Sequence, residues 1–195
     1  HHGGVFRIGG LVVAVLACLQ ISIYAEAKFH VPYDWWGVRE PDIRVHHEPA
    51  HQPLLRGLWV TTERNAVYDR ITEIIRRETR PGESIMIFPQ TPIFYLLADR
   101  PPMGRAVVYW FDFLPDNLAQ EEKRRLEGKP PALILLMDLP EIVWTEHEKA
   151  FRGGRPSAQR GIVEQIQRME EQGSYRQIAT IPLEARYQFR ILKHK

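Results

Sequence analysis

The run IGGLVVAVLACLQISIYA, residues 8–25, carries no charged side chain over about 18 positions, close to the roughly 20 that a helix needs to cross a hydrocarbon core. Three placements fit such a run: a retained transmembrane helix, a signal or lipoprotein segment, and a buried core helix. Arg7, the apolar stretch and Ala25-Glu26-Ala27 have the outline of a signal peptide with an A-x-A site, and VLAC around Cys18 is a loose lipoprotein box. A secretory core is usually about 7–15 residues long, shorter than this run, which favours a retained helix within residues 1–27. Every placement except the core helix puts the remainder at or beyond a membrane. The chain starts at His1-His2 rather than Met, so an upstream portion is also expected.

Aromatic residues crowd the end of the run. In YAEAKFHVPYDWWG, Tyr33, Trp35 and Trp36 follow Tyr24 and Phe29, and amphipathic rings favour the headgroup layer. They are the expected membrane-interface residues; packing beneath the soluble domain is the alternative. Arg7 on the N-terminal flank points the domain out of the cytoplasm, although Lys28 and Arg39 flank the other end. The bilayer is therefore the first expected partner, with the domain on the outer side of the inner membrane.

Composition narrows the rest. A 195-residue chain with 44% hydrophobic residues holds one α/β domain and a short appendage. With 26 basic against 24 acidic residues, the net charge of +2 provides no dense basic stripe, and nucleic acid is not an expected partner. Cys18 is the single cysteine, which excludes an intrachain disulfide and a cysteine-based zinc cluster.

Residues 28–57 read as an interfacial segment and a Pro- and His-rich linker, with the folded domain over 58–195. NAVYDRITEIIRRETR predicts a helix with Val67, Tyr68, Ile71, Ile74 and Ile75 on one face, capped by Thr61 or Thr62 and stopped by Pro81-Gly82. SIMIF (84–88), AVVYW (106–110) and ALILLM (132–137) are strand candidates. Thr91-Pro92 opens a short helix over Ile93 to Ala98, and DNLAQEEKRRLEGK is a charged helix ending at Gly128. Ile162, Val163, Ile166 and Met169 form a further helical stripe, followed by two strands around a turn at 182–185. Alternating elements predict a three-layer α/β sandwich: a small, mostly parallel sheet with a terminal antiparallel hairpin, preceded by one transmembrane helix.

His47-Glu48-Pro49-Ala50-His51 matches H-E-x-x-H, whose zinc chemistry needs both His on one helical face. Pro49 removes an amide and clashes with the preceding turn, so no metal is expected there. Ser84, Ser157 and Ser174 lie in no G-x-S-x-G context. Asp138 and the joint Pro89-Gln90-Thr91 stand at the C-terminal ends of predicted strands, where α/β folds place ligand groups, and where Asp and Thr also serve as caps and turns. No catalytic set emerges, and no cofactor is implied.

The blocks PYDWWGVREPD, LLRGLWVT, RPGESIMIFPQTPIFYLLADRPP and KPPALILLMDLPE, taken together after an apolar helix, resemble the C-terminal part of bacterial polytopic glycosyltransferases of the GT-C class, relatives of the protein O-mannosyltransferases and the lipid A aminoarabinose transferase. Pro89, Pro92, Tyr95 and Arg100 carry most of the likeness, which covers the chain from about Val5 onward. The resemblance implies an upstream membrane domain in the same parent chain, a polyprenyl-phosphate sugar donor, and an acidic catalytic residue upstream of these 195 residues. It leaves Tyr95, Arg100 and Gln90 as candidate substrate-binding residues. In one reading Tyr95 is a packed ring and Arg100 caps carbonyls; in the other the Arg100 guanidinium holds a carrier phosphate.

Overall fold

Helix α1 spans His2–His30, and within it Gly9–Lys28 is long and apolar enough to cross a membrane. The computed structural model of the 195-residue chain describes residues 2–30, 34–35, 38–39, 46–110, 113–183 and 187–195, with side chains at 9–28 and from 46 onward within those ranges. Of the expected interface residues, Tyr33 and Trp36 lie outside the described residues, and Trp35 is described in its backbone alone. The chain divides into two units, residues 1–46 and 47–195. In the first, α1 is followed by a minimal antiparallel pair, β1 (Asp34–Trp35) and β2 (Val38–Arg39).

The second unit opens inside the expected linker. β3 (His47–Pro49) pairs antiparallel with β4 (Trp59–Thr61) across a 3-10 turn at Pro53–Leu55. Periodicity cannot reveal a three-residue strand, and here tertiary bonds to the following helix hold it. That helix, α2 (Thr62–Glu78), starts where the Thr61 side chain accepts the Arg64 amide at 3.2 Å, an N-cap of the expected kind. Its Ile71, Ile74 and Ile75 are buried, as the stripe predicts.

Strands β5 (Ile85–Phe88), β6 (Leu133–Met137), β7 (Tyr175–Pro182) and β8 (Gln188–His194) form one sheet in the order β5-β6-β8-β7. Every residue of β5 and β6 is buried, the signature of strands covered on both faces. The α/β class and the closing antiparallel hairpin are as expected, but parallel pairing is confined to β5 and β6.

Alternate residues of a strand address opposite faces, which sorts the helices into layers. On one face Phe189 of β8 meets Phe94 of α3 (Ile93–Ala98) at 6.2 Å, and Lys193 reaches Glu78 of α2 at 2.8 Å. On the other, Phe88 stacks on Trp144 of α5 (Glu141–Arg152), and Arg190 reaches Glu170 of α6 (Gln159–Glu171) at 2.9 Å. α4 (Asp116–Gly128) packs on α6 in this second layer.

The expected strand at 106–110 is not formed. Its backbone turns aside: the Tyr109 amide donates to the Pro89 carbonyl, and the Tyr109 ring packs on Phe88 at 5.6 Å. Aromatic burial rather than ladder pairing consumes this apolar run.

A charged clasp joins α5 to α6. Arg160 donates to both carboxylate oxygens of Glu148 and of Glu141 at 2.7–3.0 Å and lies 5.0 Å from the Trp144 ring. Burial works to raise the Glu148 carboxyl, yet hydrogen bonds from Arg160 and the Ser157 amide outweigh it and hold the group below the usual carboxylate range. Hydrogen bonds from Arg160 lower Glu141 in the same way. Depressed carboxyls bind fewer protons folded than unfolded as the pH falls, so their contribution is present above about pH 4.3 and is lost on acidification. The urea midpoint is expected to fall between pH 7 and about pH 3.5, and Arg160→Gln to shrink that fall.

Candidate functional site

The C-terminal end of the parallel pair is the place where such sheets offer ligand groups, and it begins at the joint Pro89–Arg100. β5 is an edge strand, so part of its backbone would face solvent unpaired. The joint closes that edge. The Tyr95 hydroxyl accepts the Ile87 amide at 3.0 Å, Ile85 donates to the Pro101 carbonyl at 3.0 Å, and Met103 donates back to Ile85 at 2.9 Å. Burial pushes the Tyr95 phenol well above its ordinary range, which keeps the hydroxyl neutral.

Arg100 is turned inward. Its Nε donates to Thr79 Oγ1 at 2.8 Å, one terminal nitrogen to the Ala98 and Asp99 carbonyls at 3.1 and 2.8 Å, and the other to the Thr79 carbonyl at 2.9 Å. Four of the five guanidinium hydrogens are thus committed to protein oxygens, and only 8% of the residue is exposed. Asp99, at φ 56°, turns the chain out of α3 so that Arg100 can point back at the end of α2. Arg76 completes the junction by donating to the Leu97 carbonyl at 2.6 Å. Gln90 is half-buried in the turn, and its neighbour Thr91 sits at φ 83°, uncommon for a β-branched residue. Tyr95 and Arg100 are therefore brought together as parts of one internal lock, and Gln90 lies at its opposite end.

Behind the joint lies a buried carboxylate from the helix that pattern reading saw only as charged. Glu122 of α4 is 2% exposed and accepts from the Arg105 amide at 3.1 Å and the Tyr109 hydroxyl at 3.2 Å. Gly104 makes room for it, because a Cβ there would stand 1.8 Å from the carboxylate. The spacing of Ala119, Glu122 and Leu126 along one helical face was the available signal.

At the end of β6, Asp138 accepts from Arg190 at 2.9 Å and from Gln188 at 3.0 Å, tying β6 to β8. Beside it, Pro140, Leu183, Tyr187 and Gln188 help to line an open depression of about 530 Å³. Its size is that of a small-ligand pocket. The H-E-x-x-H residues lie elsewhere and on no helix: His47 is in β3, and residues 50–52 follow in irregular backbone. Glu48 instead accepts from Asn65 at 2.9 Å, and His51 bonds Asp69 at 2.8 Å, clamping the β3–β4 segment to α2. Among the described residues no group of three His, Cys, Asp or Glu is arranged to hold a metal.

Comparison with protein families, with curated proteins and with solved structures finds no match. The site is therefore read from its geometry. Arg100→Ala is expected to destabilise the chain by about 1–3 kcal/mol in urea unfolding, because three backbone carbonyls lose a buried donor; Arg100→Lys recovers only part, since an ammonium cannot reproduce the fork. Tyr95→Phe leaves the Ile87 amide without its acceptor and is expected to cost about 1–3 kcal/mol in the same measurement.

Proposed function

We propose that residues 9–28 anchor the chain in the inner membrane and that residues 47–195 form the extracytoplasmic C-terminal domain of a glycosyltransferase that takes sugar from a polyprenyl-phosphate carrier. The carrying observation is the helix Gly9–Lys28, none of whose span is buried, in a chain that continues into a separate α/β unit. Hydrocarbon is the solvent that suits such a surface. The commitment of Tyr95 and Arg100 to the β5 edge and the α2 terminus supports a structural role for the block that carries the glycosyltransferase resemblance. On this reading the domain supports the acceptor side of the enzyme, and catalysis belongs to the upstream membrane part.

A second reading, an anchored binding module without catalysis, draws on the open depression beside Asp138. Two measurements separate them. In alkaline carbonate extraction the 195-residue chain is expected to stay in the membrane pellet; full release into the supernatant removes the anchor. In a transfer assay with a labelled polyprenyl-phosphate sugar, the longer protein with its upstream sequence is expected to be active and the 195-residue chain inactive. Transfer by the short chain overturns the upstream assignment, and an inactive longer protein favours the binding module.

A further inference from the structure

The α/β unit has two unlike ends. α2 and α3 run parallel to each other, since Tyr68 meets Phe94 at 5.9 Å near the start of α3 while Thr79 meets Arg100 at its end, and antiparallel to β5, whose first residue, Ile85, bonds Pro101 just past α3. With 17 residues, α2 is about 25 Å long, whereas β5 has four residues, so the start of α2 projects past the C-terminal end of the strand. There the turn between β3 and β4 displays Leu54, Leu58 and Trp59, which are 69%, 55% and 65% exposed. Phe113, whose amide bonds the Trp110 carbonyl, and Ile142, in the first turn of α5, which follows the C-terminal end of β6, are exposed as well. The opposite end carries Arg77, Arg80, Glu83, Lys193 and Lys195 around an open hollow. Leu96, on α3, and Phe151, on the last turn of α5, are exposed singly.

The apolar turn is held outward. Asn65 is fully buried and donates to Glu48 at 2.9 Å and to the Pro49 carbonyl at 3.1 Å, while its side-chain oxygen accepts the His51 amide at 3.1 Å. His51 and Gln52 both bond Asp69. Leu55 alone of the turn is buried and serves as its peg. Leu54, Leu58 and Trp59 thus cannot fold back onto the core without breaking this clamp. Arg56, exposed in the same turn, adds a cation suited to anionic headgroups.

We propose that this end of the domain, led by Leu54, Leu58 and Trp59, rests in the headgroup layer of the bilayer. The bilayer is the occupant because the turn sets the Arg56 cation, suited to anionic headgroups, among three exposed apolar side chains. Tryptophan flanked by leucine and arginine is also the composition that membrane interfaces favour. The inference rests on the anchor reading given above.

The test uses the full chain in phosphatidylethanolamine–phosphatidylglycerol vesicles. Cys18→Ser removes the single thiol, and Leu58→Cys, Leu54→Cys or Arg80→Cys then takes an environment-sensitive fluorophore. Lipids bearing a shallow nitroxide are expected to quench the label at 58 and at 54 at least threefold more than at 80. Equal quenching at both ends, with the chain retained after carbonate extraction, overturns the docking and leaves the anchor standing. Release of the chain by carbonate removes the anchor and the docking together. Labels at 54 and 58 that are shielded from aqueous iodide yet untouched by lipid nitroxide mean that protein, a second copy or another membrane segment, covers the turn, and that also overturns the proposal.

Discussion

The guanidinium of Arg100 bonds the Thr79 side chain and carbonyl, at the end of α2, and the carbonyls of Ala98 and Asp99, at the end of α3. Both helices lie on the same face of the sheet, so one side chain sets the register between them and neutralises the carbonyl ends of both. The chain then runs directly into Pro101 and Met103, which complete the edge of β5. If the lock were absent, α3 would lose its terminus and the edge strand its cover.

The other layer is assembled by similar means. Where apolar contact ends, carboxylates take over: Glu122 under Gly104, Glu148 under Arg160, and Asp116, which accepts from Arg152 and from the Ala158 amide at the start of α6. Each joins segments distant in sequence and meets a loop amide or a guanidinium. These bonds do not add large net stability, because each replaces hydration. Their effect is directional: they fix where loops meet helices in a domain whose sheet has only four strands.

Much of this was legible in the sequence. The continuous apolar runs at 85–88 and 133–137, the stripe on α2 and the terminal hairpin were visible because burial on two faces and helical periodicity leave direct traces. The strand expected at 106–110 failed because apolar content does not distinguish ladder pairing from aromatic packing, and only the backbone at Pro89 decides that Tyr109 is used as a cap. Short β3 and buried Glu122 were hidden for a related reason: both depend on partners 10 to 17 residues away, and no local pattern encodes a partner. Asp138 stood out only by its place at a strand end and the H-E-x-x-H stretch only by its letters, and the structure pairs them with Arg190, Asn65 and Asp69.

The roles of Tyr95 and Arg100 bear on how far a resemblance can carry function. Residues that repeat together in a family do so either because chemistry needs them or because a fold cannot close without them. Here Tyr95 closes a strand edge and Arg100 two helix ends, with few donors left for a ligand. A block of that kind identifies a scaffold, and a scaffold hosts many activities. The glycosyltransferase reading thus leans on the joint for architecture and on the anchor for place. The outward-held turn at Leu54, Leu58 and Trp59 is different in kind, because its apolar side chains are exposed rather than packed. Exposing them costs the domain solubility, and that cost is the physical ground on which the docking proposal stands.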